Sequence, residues 1–375
     1  MQSASGEILI VGAGIAGLAV ARALQERSVP FSVVERRLVP TDGGLAIVLP
    51  GNAMQALATL GLREQIEAIG HPIGRRQYRA ANDRLLCEID EDAFWGPTCR
   101  PCCVRRSALL AMLADGLPHH SVWHDAGVAA MVSHARHAEV TLTNGASLSA
   151  RLVVGADGVH STIRAQTFVG QSGVTGALMA QSSWRFMAPN PGVDCWSLWT
   201  GADGMVLLVP VDGDAVYGWV ATTRPHPAGS PTNPIARMEH GFPERVRRAL
   251  RHALSQEGSL YHSPMEEVRL PTWHRGRAVL VGDAAHATAP VWAQGAALAL
   301  EDAIVLARSV GEHLDIATAL SDYQHQRWKR VAHVQRLTDA MSRAAKLPNL
   351  IRNALLPVIG PRRYRQTYEP LKVQV

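Results

Sequence analysis

Gly12-Ala13-Gly14-Ile15-Ala16-Gly17 constrains this chain more than any other stretch. It follows Ile8-Leu9-Ile10-Val11, an apolar run of the kind that forms a buried strand, and it opens an alanine- and leucine-rich helical run, Leu18–Gln25. In a strand–turn–helix unit the first glycine allows the tight turn and the second lets the backbone approach a pyrophosphate. The third lets the helix pack on the strand. The helix start then offers unpaired N–H groups and partial positive charge to phosphates. A second strand, Phe31–Val34, ends on Glu35, whose carboxylate can accept hydrogen bonds from both hydroxyls of a ribose. Alone, such a glycine run is only a turn. With strand, helix and acid placed around it, the expectation is a Rossmann-like α/β nucleotide-binding unit.

The chain has 375 residues, enough for two domains, and 47% of them are hydrophobic, as in an ordinary globular protein. No apolar run reaches membrane-spanning length, and Met1–Gly6 is too short and polar for a signal peptide, so a cytoplasmic protein without stable membrane insertion is expected. The net charge of +5 weakly favours anionic ligands. The arginines are scattered, and no basic run suggests nucleic acid. Arg362-Arg363-Tyr364-Arg365 near the end reads either as a contact to a membrane surface or, preferred here, as a solvated terminal face. Cys99-x-x-Cys102 lacks the second pair or histidine cluster of a zinc site, so no metal is expected and the five cysteines read as reduced packing thiols.

Further along, loops are expected at Pro40–Gly44 and Pro225–Pro234, helices over Asn52–Leu60, Glu64–Ile69 and Ala108–Ala114, and a strand over Tyr78–Leu86. The stretch from Cys87 to Cys103 reads as irregular. Val128–Val132 and Val140–Leu142 read as a hairpin or meander, with Asn144-Gly145 as the turn. From about Gln181 the pattern changes to short strands, Trp196–Thr200, Met205–Val209 and Val216–Thr222, which predict an antiparallel sheet with one apolar face. Ile235–Gln256 and the run from Gln294 to about Lys346 read as helical, with a last short helix over Leu350–Val358. Two more buried strands, Leu152–Val154 and Ala278–Val281, must complete the nucleotide-binding sheet, which is therefore discontinuous.

Both of those strands end in glycine–acid turns, Gly155-Ala156-Asp157-Gly158 and Gly282-Asp283-Ala284-Ala285-His286. A carboxylate at the carboxyl end of such a strand sits where open α/β sheets bind ligands. Asp283 can accept hydrogen bonds from polyol or ribose hydroxyls. Asp157 either does the same or caps the helix that Ser161 begins. Gly295 starts a further helix whose N–H groups suit an anionic cofactor, and Glu301-Asp302 one turn on read as its solvated face.

The three signatures in this order resemble the single-component FAD-dependent aromatic hydroxylases of the para-hydroxybenzoate hydroxylase fold, nearest to the branch of small quinolone, salicylate and 3-hydroxybenzoate hydroxylases. The resemblance implies a Rossmann-like FAD-binding domain over 1–75, 101–175 and 270–345. An inserted antiparallel-sheet substrate domain would cover 76–100 and 176–269, and a C-terminal helical tail 346–375. It implies non-covalent FAD held by Gly12, Gly14, Ile15, Ala16, Gly17, Glu35, Arg36, Arg106, Val128, Asp157, Asp283, Gly295 and Ala296. NAD(P)H and O₂ would be co-substrates, oxygen adding at flavin C4a before transfer to a small aromatic ring. Pro290 and Trp292 would border the flavin edge, and Arg185 could hold a substrate carboxylate or carbonyl. Tyr217 and Trp219, on one face of their strand, would line the pocket or simply pack the sheet. A flavin oxidase or dehydrogenase without oxygen insertion, or a non-catalytic FAD-binding protein, are the alternatives on the same fold.

One position departs from the family. Where most relatives carry Pro-x-x-Gly-Gln-Gly, this chain has Pro290-Val291-Trp292-Ala293-Gln294-Gly295. Either the loop keeps φ negative at Ala293 and the methyl is harmless, or Ala293 and Trp292 together narrow the pocket over C4a.

Overall fold

A computed structural model describes residues 7–39, 45–168, 170, 173–180, 182–222, 234–256, 258–345 and 347–375. The loop expected at Pro40–Gly44 lies outside these residues, as does all of the loop expected at Pro225–Pro234 except Pro234 itself.

Among the described residues, six strands form the central sheet. Their order is His274–Arg275, Ala278–Leu280, Leu152–Gly155, Ile8–Val11, Phe31–Val34, Val122–Trp123. All pairings are parallel except the first, so the apolar strands are covered on both faces and need no alternation. Ile8–Val11, Val33, Val34, Leu152–Val154 and Ala278–Leu280 are all buried. The helix Ile15–Glu26 packs against Gly295–Glu312 so closely that a Cβ on Gly282 would stand 3.0 Å from the Ala16 methyl and 3.2 Å from that of Ala299.

A seven-stranded sheet stands against this unit. Its order is Tyr261–Pro264, Ser182–Pro189, Ala215–Thr222, Gly204–Pro210, Trp196–Thr200, Arg75–Ala80, Leu85–Asp90. Arg75–Ala80 pairs with Trp196–Thr200 in parallel, stitching chain segments far apart in sequence. The expectation of a sheet with one apolar face needs correction, because both faces are covered. Phe186, Trp199, Val206, Leu208, Val216 and Val220 pack with Val246, Ala249 and Leu250 of the helix Glu244–Ser255. Tyr78, Trp196, Met205, Val209, Tyr217 and Trp219 join the core shared with the central sheet.

Other differences have local causes. The single strand expected over Tyr78–Leu86 is two, Arg75–Ala80 and Leu85–Asp90, because Asp83 takes a left-handed backbone (φ 69°) and turns the chain. Its carboxylate accepts hydrogen bonds from Arg245 Nη2 and Trp199 Nε1, which hold the turn on the sheet. The stretch from Cys87 is ordered rather than irregular. It completes that second strand, then forms the helix Glu91–Trp95, capped by Asp90 Oδ1 accepting from Ala93 N at 2.8 Å, and the strand Cys102–Arg105. The Asn144-Gly145 turn joins Ala138–Leu142 to Ser147–Ala150. The turn after Val128–Ser133 instead closes through His134 N donating to His137 O. The last helix runs over Asn349–Tyr368, past Pro357 and Pro361, and not only over Leu350–Val358. It is held by its inner face, where a Cβ on Gly360 would stand 3.0 Å from Cys87 Sγ and where Tyr364 and Tyr368 are buried.

Candidate functional site

The glycine turn has the geometry of a phosphate cradle. Gly12 has φ 106°, and a Cβ there would stand 2.6 Å from the Ala156 carbonyl oxygen. A Cβ on Gly17 would stand 1.9 Å from the Gly12 carbonyl oxygen. Both positions require glycine for packing. Nothing lies within 4 Å of where a Gly14 Cβ would be, so the backbone there faces open space at the start of the helix bearing Ile15 and Ala16. Glu35 Oε2 accepts from Ala13 N at 2.9 Å and Oε1 from Arg37 N at 3.0 Å, which fastens the acid to the turn. Glu35 O accepts from Ala126 N, and a Cβ on Gly127 would stand 3.3 Å from Arg36 Cβ. Glu35, Arg36 and the half-buried Val128 therefore meet at one end of the central sheet.

For Asp157 the capping role is the one observed. Its carboxylate accepts from Ser161 Oγ at 2.5 Å, Thr162 N at 2.7 Å and Ile163 N at 3.2 Å, while Ser161 Oγ accepts from Arg164 N. Buried Arg164 donates to the carbonyls of Val159 and Ala284, tying this glycine–acid turn to the one at Gly282.

Asp283 contrasts with Asp157. It is exposed, makes no hydrogen bond among the described residues, and its Oδ1 lies 3.8 Å from where a Cβ on Gly295 would be. An unpartnered carboxylate beside a helix start, facing the same rim as Gly295 and Ala296, can accept from ligand hydroxyls without first giving up a protein partner.

What shapes that rim was not legible in the sequence. Glu301 and Asp302, expected to be solvated, are buried. Asp302 Oδ2 accepts from Gly282 N at 2.9 Å and lies 2.7 Å from His286 Nε2, and Asp302 Oδ1 accepts from Arg327 Nε at 2.8 Å. Glu301 pairs with the Arg327 guanidinium at 2.8 Å and accepts from Arg330 Nε and Nη2 and from Asn52 Nδ2. Asn52 and Gln294 exchange two hydrogen bonds of 3.0 Å, which fixes the residue before Gly295. Burial alone would raise the Asp302 carboxyl, but His286 and Arg327 outweigh it and hold it below its ordinary range. Asp302 and Arg327 are thus positioning residues for the Gly282-Asp283 turn. Only His286, within the glycine–acid motif, offered a sequence signal for this network.

The inner face of the seven-stranded sheet packs into the core it shares with the central sheet. Register places Arg185 opposite Trp219, Trp219 opposite Leu207, and Leu207 opposite Leu198 on one face. Most of that face is buried, yet Arg185, Met187, Leu207 and Leu198 are half-exposed, forming an apolar floor with one cation at its edge. Arg185 makes no hydrogen bond or ion pair among the described residues, and Trp219 Nε1 is buried without a partner. Burial pushes the Tyr217 phenol up to about 12, with the positive charges of Arg185 and Arg106 pulling against it. Tyr217 and Trp219 share this face while Val216 and Gly218 face the other way, as period two predicts.

Pro290 and Trp292 lie in a 3-10 turn that ends at Ala293 with φ 53° and ψ 33°. Of the two alternatives for this loop, the one with a negative φ at Ala293 is therefore not the one observed. The chain keeps the left-handed backbone that glycine would take freely and holds it with a methyl. The Trp292 indole is buried edge-on against Tyr368 at 6.0 Å, its carbonyl accepts from Tyr368 Oη at 2.7 Å, and its Nε1–H has no partner among the described residues. Behind it, Arg76 lies 4.5 Å over Trp196 and donates to buried Glu91, which also takes the Tyr364 hydroxyl.

The profile of the FAD binding domain family matches residues 5–338. The chain is similar to 2-heptyl-3-hydroxy-4(1H)-quinolone synthase of Pseudomonas aeruginosa, at 27% identity over 97% of each chain. It is also similar to a 3-amino-4-hydroxybenzoate 2-monooxygenase of Streptomyces platensis, at 30% identity over 91% of this chain and 89% of the other. The fold is shared with Klebsiella pneumoniae HpxO, solved with FAD and uric acid, at a TM-score of 0.84 and 24% identity over 98% of this chain and 94% of that one. A cradle that only glycine can form, an unpartnered acid at the second rim and a match spanning most of the chain lead to one conclusion: this chain belongs to the FAD binding domain family and, within it, to the FAD-dependent aromatic monooxygenases of the para-hydroxybenzoate hydroxylase fold.

Proposed function

We propose that this protein is an NAD(P)H-consuming hydroxylase of a small aromatic or N-heteroaromatic ring carrying a carboxylate, phenolate or ring carbonyl. The observation that carries this reading is the half-exposed floor of Met187, Leu198 and Leu207 with the unpartnered Arg185 guanidinium at its edge. The floor takes the flat face of a ring, and Arg185 anchors a single anionic or carbonyl oxygen and so fixes which edge points away from the sheet. Tyr217, held protonated at neutral pH, keeps an O–H to donate. The orphaned Trp219 and Trp292 N–H groups offer further donors for substrate oxygens.

Gly12, Gly14, Ile15, Ala16, Gly17, Glu35, Arg36, Arg106 and Val128 would hold the ADP part of FAD. Asp283, Gly295 and Ala296 would hold its ribityl chain and ring. Asp157 would contribute through the turn it caps. We assign residues 1–75, 101–175 and 270–345 to the FAD unit and 76–100 and 176–269 to the substrate sheet, with 346–375 as a tail. When bound and reduced by NAD(P)H, FAD supplies the activated oxygen. The protein's own task is to hold the ring at a fixed angle and keep water from the cleft, which Trp292 and Ala293 serve by closing its edge.

A screen of phenols, quinolones, aromatic acids and other heteroaromatics for stimulated NAD(P)H oxidation, with ¹⁸O₂ and product mass, tests the reading. The expected result is one ¹⁸O atom in the product. NAD(P)H or substrate oxidation without ¹⁸O in any product would assign an oxidase or dehydrogenase instead.

A further inference from the structure

The C-terminal helix Asn349–Tyr368 is bound to the protein by one side only. Gly360, Tyr364 and Tyr368 face inward over Cys87 and the Arg76–Glu91 pair. On the opposite side Leu350 is 86% and Val358 78% exposed, and Ile351, Leu355 and Ile359 are exposed beside them. At spacings of three and four these residues form one continuous apolar stripe, three turns long. The fold does not need it, since the inner face already fixes the helix. From Ala340 to Tyr368 the chain has no aspartate or glutamate, while Arg343, Lys346, Arg352, Arg362, Arg363 and Arg365 are basic. Arg362 and Arg365 are exposed and continue the apolar side of the helix.

We propose that this outer face seats the protein on an anionic lipid surface, the helix lying in the plane of the interface. An exposed apolar stripe next to arginines and free of acids is the composition that partitions into an anionic headgroup region. Charge decides against a second copy as the occupant. Either orientation of two such helices brings basic segments together with no acid between 340 and 368 to offset them. No described helix is long and apolar enough to cross a membrane, so the attachment is peripheral.

The test is co-sedimentation of the FAD-loaded protein with phosphatidylglycerol–phosphatidylcholine vesicles and with phosphatidylcholine vesicles alone. Strong, salt-weakened binding to the first and weak binding to the second is expected. L350E/V358E, two changes at solvent-exposed positions, should lower partitioning by about a hundredfold. R362Q/R365Q should lower it by roughly thirtyfold. FAD absorbance and far-UV circular dichroism should stay at wild-type values in both. No wild-type binding to the anionic vesicles overturns the proposal, as does binding that L350E/V358E leaves unchanged. A dimer that L350E/V358E converts to monomer, without vesicle binding, assigns the face to a second copy instead. None of these readouts depends on the hydroxylase reaction, so either reading can fail alone.

Discussion

Replacing Asp302 by Asn separates stability from cofactor retention. Asp302 is fully buried and receives three donors at once: Gly282 N, His286 Nε2 and Arg327 Nε. Asn keeps the shape but turns one acceptor into a donor and removes the charge opposite Arg327. Breaking a buried ion pair by removing one partner costs about 3–5 kcal/mol. Because Glu301 Oε2 still lies 2.8 Å from Arg327 Nη1, the lower end, about 3 kcal/mol, is expected. The Gly282-Asp283 turn also loses its anchor. If about 1–2 kcal/mol of that disorder must be removed when FAD binds, Kd rises roughly 5- to 30-fold. Glu301→Gln is the control. Glu301 binds Arg327, Arg330 and Asn52 but nothing in the turn, and reaches the rim only through Asn52 and Gln294, so it should lower stability by a similar order while raising the FAD Kd less than Asp302→Asn does. Urea unfolding of the apoprotein and flavin-fluorescence titration measure the two quantities. If Asp302→Asn and Glu301→Gln shift FAD Kd equally, or if neither moves the urea midpoint, the reasoning fails.

Asp283→Ala should weaken FAD about ten- to a hundredfold, since the ligand loses a charged acceptor worth about 1.5–3 kcal/mol, while apoprotein melting stays unchanged because the side chain has no partner among the described residues. Unchanged FAD affinity would remove Asp283 from the cofactor site. Trp292→Phe, preferred to Ala because the indole is buried against Tyr368, should keep FAD bound but raise H₂O₂ released per NAD(P)H consumed. Wild-type coupling in that variant would sink the idea that Trp292 closes the cleft. The folded-state pKa of Asp302 is lowered from an ordinary 3.8. Its contribution to stability is therefore complete above that value and lost as pH falls through the folded one. Wild type should show this acid-side loss in urea midpoints, and Asp302→Asn should show less of it.

Periodicity and local spacing are properties of the chain itself, and what depends on them alone was legible. Gly12, Gly14 and Gly17 between an apolar strand and an alanine-rich helix could form little else, and Glu35 follows from where the next strand ends. Tyr217 and Trp219 had to share a face because strands alternate, though the sequence left open whether that face met solvent or core. Burial of charge lies outside this logic. Glu301 and Asp302 look like any solvated acidic pair until the helix 316–345 brings Arg327 and Arg330 against them. Arg76 and Glu91 become tolerable inside only because Tyr364, 273 positions after Glu91, closes over them. The left-handed φ at Ala293 contradicts its residue type and persists because Trp292, Gln294 and Asn52 are packed and hydrogen-bonded around it. An ion or a strained torsion is stable only when groups distant in sequence supply the missing partner, and only the tertiary structure determines where those groups meet.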